Sequence, residues 1–344
     1  MSNNPLSEYD QRSVELANKA YNRILGFHHD RQFTLSKATP SAGFLYHYTT
    51  AEGLKGIIEK SELWATLAYF LNDSTEILYG CQVFKEALDE WISNNQHLDE
   101  SLSLALGFAR DLRKAIGEDY LKMGIAVPIY LVCFCEKDNL LSQWRGYGQS
   151  GGYSLGFKIP SDPFTGQGFK PEPCTYTSRW MKVDYCRNEQ IKKCRTILDS
   201  VLPIFNDPDT SKAIVAIGDH PQAGYSVILR AVVDMVLEEI IGFKNESFAV
   251  EEEWRIVVRR REFIKQGTDD DGKTPIPIQF RCAKGMIIPY VRLVPDGSNK
   301  LPIYCIRTGP SLDVNAARLA IPLLLVTNGY KGVRVRESGI PLRD

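Results

Sequence analysis

Short strand-like runs recur along this chain with helical stretches between them, and that alternation restricts it to a mixed α+β fold. The runs are "FLYHY" (44–48), "ELWATLAYF" (62–70), "AVPIYLVCFCE" (126–136), "GYSLGFKI" (152–159) and "EWRIVVRR" (253–260). "PIPIQF" (275–280), "MIIPYVRLV" (286–294), "PIYCIRT" (302–308) and "GVRVRES" (332–338) follow. Helical spacing marks 7–26, 51–60, 72–92, 101–115, 188–205, 225–242 and 311–326, with Thr49 or Thr50 and Ser311 as caps. "HHDRQFTLSKATPSAG" is expected to be a linker and "QGTDDDGKT" a loop. The expected organisation is an N-terminal helix and linker over 1–40. A single α+β domain over 41–344 follows, interrupted by a helical insertion at about 187–243.

The 344 residues suffice for a substantial core. The charge is balanced, 41 basic against 42 acidic side chains, so no overall field draws the protein to nucleic acid or membrane. Eight cysteines include no C-x-x-C pair and no Cys/His set at zinc spacing, so no metal site is expected. Cys133 and Cys135 are two apart and share one face of a strand, as core thiols in a reducing cytosol. No apolar run reaches the ~20 residues that cross a bilayer. "MSNNPLSEYDQ" has no signal-peptide block. A cytoplasmic protein without membrane contact is expected.

Five places concentrate unusual residues. In "FLYHYTT", alternation sets Leu45, His47 and Thr49 on one face and Tyr46 and Tyr48 on the other. The plain role for His47 is a hydrogen bond to a buried backbone group. In "YFLNDSTEILYG", Asn72 and Asp73 suit a turn or cap, Glu76 completes a capping box, and Tyr79 lies further along the helix. "CFCEKDNLLSQWRGYGQSGGYSLGF" scatters Trp144, Arg145, Tyr147 and Tyr153 among glycines, which suits a flat ring or ordinary turns equally. In "SFAVEEEWRIVVRR", Glu251, Glu253 and Arg255 are expected on one face, either lining a cleft or forming a Glu–Arg pair. In "CIRTGPSLDVNAARL", a strand turns into a helix whose N-terminus suits an anion, or simply connects two elements.

Taken together, "LYHYTT", "LNDSTE", "CFCEKDNLLSQWRGYG", "GYSLGF", "EEEWRI" and "VRVRESGIPLR" resemble, in this order, a bacterial domain-of-unknown-function family, number 2971 (DUF2971), over residues 44–344. The order of a histidine on an aromatic strand, a tyrosine on a following helix and a glutamate opening a late strand looks like the His-Tyr-Glu branch of the ADP-ribosyltransferase superfamily. That second resemblance implies a split, mixed or antiparallel sheet and NAD as substrate. It gives His47 the adenosine ribose, with Tyr48 or Thr49 in support, and gives Tyr79 the nicotinamide, with Tyr147 or Tyr153 as alternatives. Glu253, with Glu251 behind it, is implied as the catalytic carboxylate, and Asn72, Trp144, Arg145 and Arg255 as further nucleotide contacts. The acceptor of the ADP-ribosyl group, protein or nucleic acid, is not implied. Single-domain bacterial proteins of this style suggest a toxin or antiphage effector. Two other functions fit the same residues: a nucleotide sensor without catalysis, and a metal-independent nucleic-acid-processing enzyme using His47, Glu253 and the arginines 145, 255, 259, 260, 261 and 281.

Overall fold

The computed structural model describes residue 26 and residues 43–71, 75–95, 100–116, 128–148, 152–159, 169–172, 176–206, 223–260, 278–283, 285–296, 298–310 and 313–341. The expected helix at 7–26, the linker after it, Asn72, the 266–274 loop and Ser311 lie outside them, Gly26 apart.

In chain order the elements are β1 (Phe44–Thr49), α1 (Ala51–Lys60), β2 (Leu63–Leu67), α2 (Thr75–Asn94), α3 (Glu100–Ala115), β3 (Ile129–Cys135), β4 (Tyr153–Lys158), β5 (Phe169–Glu172) and β6 (Tyr176–Lys182). They continue with α4 (Arg187–Val201), α5 (Ala223–Ile240), β7 (Glu253–Arg260), β8 (Gln279–Ala283), β9 (Met286–Pro295), β10 (Ile303–Thr308), α6 (Val314–Thr327) and β11 (Arg334–Glu337). The fold is α+β, as the alternation predicts. β5 and β6 have no counterpart in the sequence reading. None of the described helices is long and apolar enough to cross a membrane.

The chain divides into two compact units. The first takes Met1–Leu35, Asp73–Val127 and Asp184–Glu246, and its described elements are the helices α2 to α5. α2 buries Ile77, Gly80, Cys81, Phe84, Ala87 and Leu88, the i, i+3, i+4, i+7 stripe of an amphipathic helix. At Gly80 α5 comes close: a Cβ there would lie 2.8 Å from both the Cβ and the carbonyl oxygen of Ile240. Gln190 of α4 is fully buried and ties this unit together. It accepts from the Tyr79 hydroxyl at 2.9 Å and donates to the carbonyls of Asp184 and Lys244 at 2.6 and 2.9 Å. The Lys244 ammonium, also buried, pairs with Glu76 at 2.9 Å.

The second unit takes Ser36–Asn72, Pro128–Val183 and Ser247–Asp344 and holds all eleven strands. The sheet is antiparallel except for the β10–β11 pair. Its main path runs β11-β10-β4-β1-β3-β2-β9-β5, with β7 and then β6 on the other edge of β3 and β8 on β9. One face carries Leu45, Phe134, Leu155, Phe157 and Trp254, covered by Leu54, Ile57 and Ile58 of α1 and Ala317, Ile321 and Leu325 of α6. The Thr50 side chain caps α1 by accepting from the Gly53 amide, as expected. α6 is capped by Asp313, which accepts from the amides of Asn315 and Ala316.

The α2–α5 approach predicts that Gly80→Val overpacks the helical unit and lowers its stability by about 1–3 kcal/mol. Urea unfolding of the variant against wild type measures this, and an unchanged midpoint contradicts the close contact.

Candidate functional site at the fork of the sheet

β3 has two unlike edges. Along one, Ile129 to Cys135 pair continuously with Arg259 to Glu253 of β7. The other is shared: β1 meets β3 at Tyr46↔Cys135, and β2 meets it at Thr66↔Leu131 and Leu67↔Tyr130. Between those contacts no β1 or β2 residue is laddered to Val132, Cys133 or Phe134 among the described residues. The sheet forks there.

His47 occupies the fork. Its Nδ1 donates to the Cys133 carbonyl at 2.9 Å, and its ring packs on Phe134 with centroids 5.7 Å apart. A carbonyl accepts only, so this bond places the proton on Nδ1. Burial holds the imidazole below its ordinary pKa of 6.5, against the opposing pull of the Cys133 bond and with the help of the nearby Arg281 cation. The ring is therefore neutral at pH 7. Its Nε2 presents a lone pair, with no partner among the described residues. The hydrogen bond foreseen as the plain role of His47 is real, and it leaves the second ring nitrogen available.

Glu253 opens β7 across from Cys135, and Arg255 stands across from Cys133. Both are buried, and the Arg255 Nε and a terminal amino group donate to the two carboxylate oxygens of Glu253 at 2.7 and 3.1 Å. The Glu–Arg pair anticipated from the sequence is thus present, but inside the protein. Alternation puts Glu253, Arg255, Cys133 and Cys135 on one face, while Phe134 and Trp254 point to the other. His47, paired with Leu155 and packed on Phe134, leaves β1 on the opposite face, so the imidazole and carboxylate that the sequence nominates for one site start from opposite faces of the sheet, with β3 between them. Glu251 does not join them as expected: it belongs to a 3₁₀ turn over Glu246–Glu251. The chain then bends at Glu252, whose φ of 45° interrupts the alternation before the strand starts. Glu252 itself pairs with Lys137 at 3.0 Å.

The aromatic run after β3 builds structure. Tyr48 donates to the Lys137 carbonyl at 2.8 Å and accepts from the Leu140 amide at 2.9 Å, so its hydroxyl is spent on holding that loop. Burial raises its pKa further above the phenol value. Trp144 is buried edge-on against Tyr48, 4.8 Å between centroids, and donates Nε1 to Asn139 at 3.0 Å. Asn139 in turn holds Ser338, and Asp138 holds Arg307, which ties the post-β3 loop to the C-terminal strands. Tyr147 packs on the Tyr48–Trp144 cluster, and Tyr153 lies half-buried beside the main core, opposite Thr49. Arg145 is exposed. The Thr49 hydroxyl lies against Gly53 of α1, where a Cβ would come within 2.0 Å of it. Tyr79 is in the helical unit, bonded to Gln190, with the Arg187 guanidinium 5.2 Å over its ring.

Sequence reasoning missed a second cluster beside the fork. Thr66 pairs with both Leu131 and Tyr290, so Thr66, Trp64 and Tyr290 share the face of Cys133 and Glu253. Trp64 and Tyr290 stack at 4.5 Å with 27° between their planes. Arg281 of β8 lies beside them, 5.9 Å from the Trp64 ring, and donates to the Thr66 hydroxyl at 3.1 Å. "QFRCA" carries no signal that singles out its arginine; only the pairing of β8 with β9 brings it here. A pocket of about 300 Å³ at the β9–β10 connection, lined by Pro295, Lys300, Tyr330 and Lys331 among others, includes none of these residues. Among the described residues no group of three or more His, Cys, Asp or Glu side chains is placed to hold a metal.

The second unit thus defines a protein with an open, mostly antiparallel sheet that forks around a histidine. The sequence model of a family described as "Protein of unknown function (DUF2971)" matches residues 143–256, from just before Trp144 to Ile256 of β7. That covers the aromatic loop, the Glu253–Arg255 pair and the α4–α5 helices, and excludes β1 with His47. No curated protein and no solved structure matches the chain.

His47 gives this region a pH signature. Its folded-state pKa lies below the unfolded value of about 6.5, so the unfolded chain binds a proton that the folded one does not. Stability is then lost as pH falls from about 7 through 6.5, and the loss ends below the folded pKa. His47→Gln removes that slope. Melting temperatures of both proteins between pH 7.5 and 5 test it, and identical slopes contradict a buried neutral imidazole.

Proposed function

We propose that this protein binds a nucleotide at the β3 fork and consumes NAD there, as an ADP-ribosyltransferase or an NAD glycohydrolase. The observation that carries the reading is the state of His47. A neutral imidazole locked by Nδ1–H to the Cys133 carbonyl offers Nε2 purely as an acceptor. Such a group takes a hydroxyl, and the ribose of a nucleotide supplies one. A strand fixes the ring more firmly than a loop does, which favours positional binding.

Glu253, on the other face of β3 and reached through the gap of the fork, provides the second element. In NAD cleavage the C1′–N bond of the nicotinamide ribose breaks, and its electron pair leaves with nicotinamide. Positive charge builds on the sugar until water or an acceptor hydroxyl adds at C1′ and gives up its proton. A carboxylate fixed in advance stabilises that charge without reorganising. Arg255 holds Glu253 by two hydrogen bonds, so the carboxylate cannot swing away. The acceptor, protein, nucleic acid or water, belongs to the part of the reading that only experiment supplies.

The same Glu253–Arg255 pair favours a second reading. A carboxylate whose two oxygens both meet a guanidinium is largely neutralised, which suits a sensor that binds the nucleotide without cleaving it.

One assay separates the two. Wild type incubated with NAD releases nicotinamide, and Glu253→Gln lowers that rate about 100- to 1000-fold. ADP-ribose still raises the variant's melting temperature as it does the wild type's. Thermal stabilisation of wild type by NAD without nicotinamide release establishes the sensor instead. Neither release nor stabilisation contradicts both.

A further inference from the structure

Arg281 is a charged side chain without a counter-ion among the described residues. Its guanidinium is half-buried between β8 and the Trp64–Tyr290 stack, and its Nε is sealed from solvent with no hydrogen-bond partner. Among the described residues it forms no ion pair. Its protein hydrogen bond goes to a neutral hydroxyl, that of Thr66. Three other buried or half-buried arginines of this unit contrast with it: Arg255 has Glu253, Arg307 has Asp138 and Arg292 has Glu62. Arginine does not escape burial by losing its proton, so an uncompensated guanidinium carries a standing desolvation cost. Such a cost persists where a ligand offsets it.

We propose that Arg281 and Thr66 form a phosphate-binding subsite beside the fork, and that its ligand is a sugar phosphate whose hydroxyl reaches His47. The proposal deepens, and rests on, the nucleotide reading of the fork. The terminal N–H groups of Arg281 not given to Thr66 form a planar donor edge that matches phosphate oxygens, while the sealed Nε–H stays behind it. Thr66 adds a donor: having accepted from Arg281, its hydroxyl still has a proton to give, and the residue is itself 6% exposed. His47 supplies the complementary half across the gap of the fork: it leaves β1 on the opposite face, within range of the Arg281 charge. Its Nε2 accepts, so the group that meets it must donate, and a carboxylate or a fully ionised phosphate oxygen does not. An anion joined to a hydroxyl-bearing skeleton satisfies both. Arg281 acts on both halves, because its charge also disfavours protonation of His47 and so preserves the acceptor. The Trp64 and Tyr290 rings give the same face an apolar wall.

Calorimetric titration of wild type, Arg281→Gln, Arg281→Lys and His47→Ala with ADP-ribose, adenosine and inorganic pyrophosphate tests the subsite. Arg281→Gln is expected to bind ADP-ribose about 10- to 100-fold more weakly, to lose pyrophosphate, and to keep adenosine unchanged. Arg281→Lys recovers part of the pyrophosphate affinity but not the bidentate component. His47→Ala loses adenosine and keeps pyrophosphate. The melting temperature of ligand-free Arg281→Gln is expected to equal or exceed that of wild type, since an uncompensated charge has been removed. Equal affinity of wild type and Arg281→Gln for ADP-ribose and pyrophosphate overturns the subsite. So does a loss of adenosine binding together with a fall in melting temperature, which marks Arg281 as structural. Pyrophosphate binding through Arg281, without adenosine or ADP-ribose binding, upholds the anion site and overturns the nucleotide reading. Binding of none of the three by wild type overturns both.

Discussion

The hydrogen bond from His47 to the Cys133 carbonyl is the constraint on which the second unit turns. β3 is zipped to β7 along one edge, but β1 and β2 divide the other between them. Where they part, Cys133 presents a carbonyl toward the gap. A buried carbonyl left without a donor costs about 1–3 kcal/mol. The imidazole supplies the donor and, through the tautomer it must adopt, turns a structural need into a chemical property: an acceptor fixed on a rigid strand. The fork and the histidine therefore explain each other.

Charges around this fork are handled in two ways. Glu253 and Arg255 compensate each other inside the protein, two residues apart on β7, in a geometry that a buried pair requires if desolvation is to be offset. Arg281 is compensated by no carboxylate among the described residues, and sits on the same face. Fixed pairs define shape, whereas an unpaired guanidinium waits for an anion. The buried Cys135 thiol, pushed up to about 12 by burial, adds nothing reactive to this surface and serves instead to hold the Glu251 carbonyl next to the start of β7.

Local signals carried much of the fold. Thr50 before an amphipathic stretch, the alternation of β1, and the apolar runs of β3, β9 and β10 each follow from contacts a few residues apart, which a sequence displays directly. β5 and β6 escaped because their strand character comes from pairing with β9 and β7, distant in the chain. The site was legible in part. His47 and Glu253 stand out as a histidine in an aromatic strand and an acid at a strand start, and they flank β3 from opposite faces of the sheet. Tyr48 and Trp144 look the same on paper as ligand-stacking aromatics, yet their polar atoms are taken by Lys137, Leu140 and Asn139. Arg281 was one arginine among several. What distinguishes it is a missing partner, and a missing partner is visible only in three dimensions.

The state of His47 tests the account most directly. Nitrogen-15 NMR of the imidazole at pH 7, with and without ADP-ribose, reports which ring nitrogen carries the proton. The account predicts a neutral ring protonated on Nδ1, with an Nε2 resonance that moves when ADP-ribose is added. A ring protonated on Nε2 or on both nitrogens, or an Nε2 resonance indifferent to the nucleotide, contradicts it.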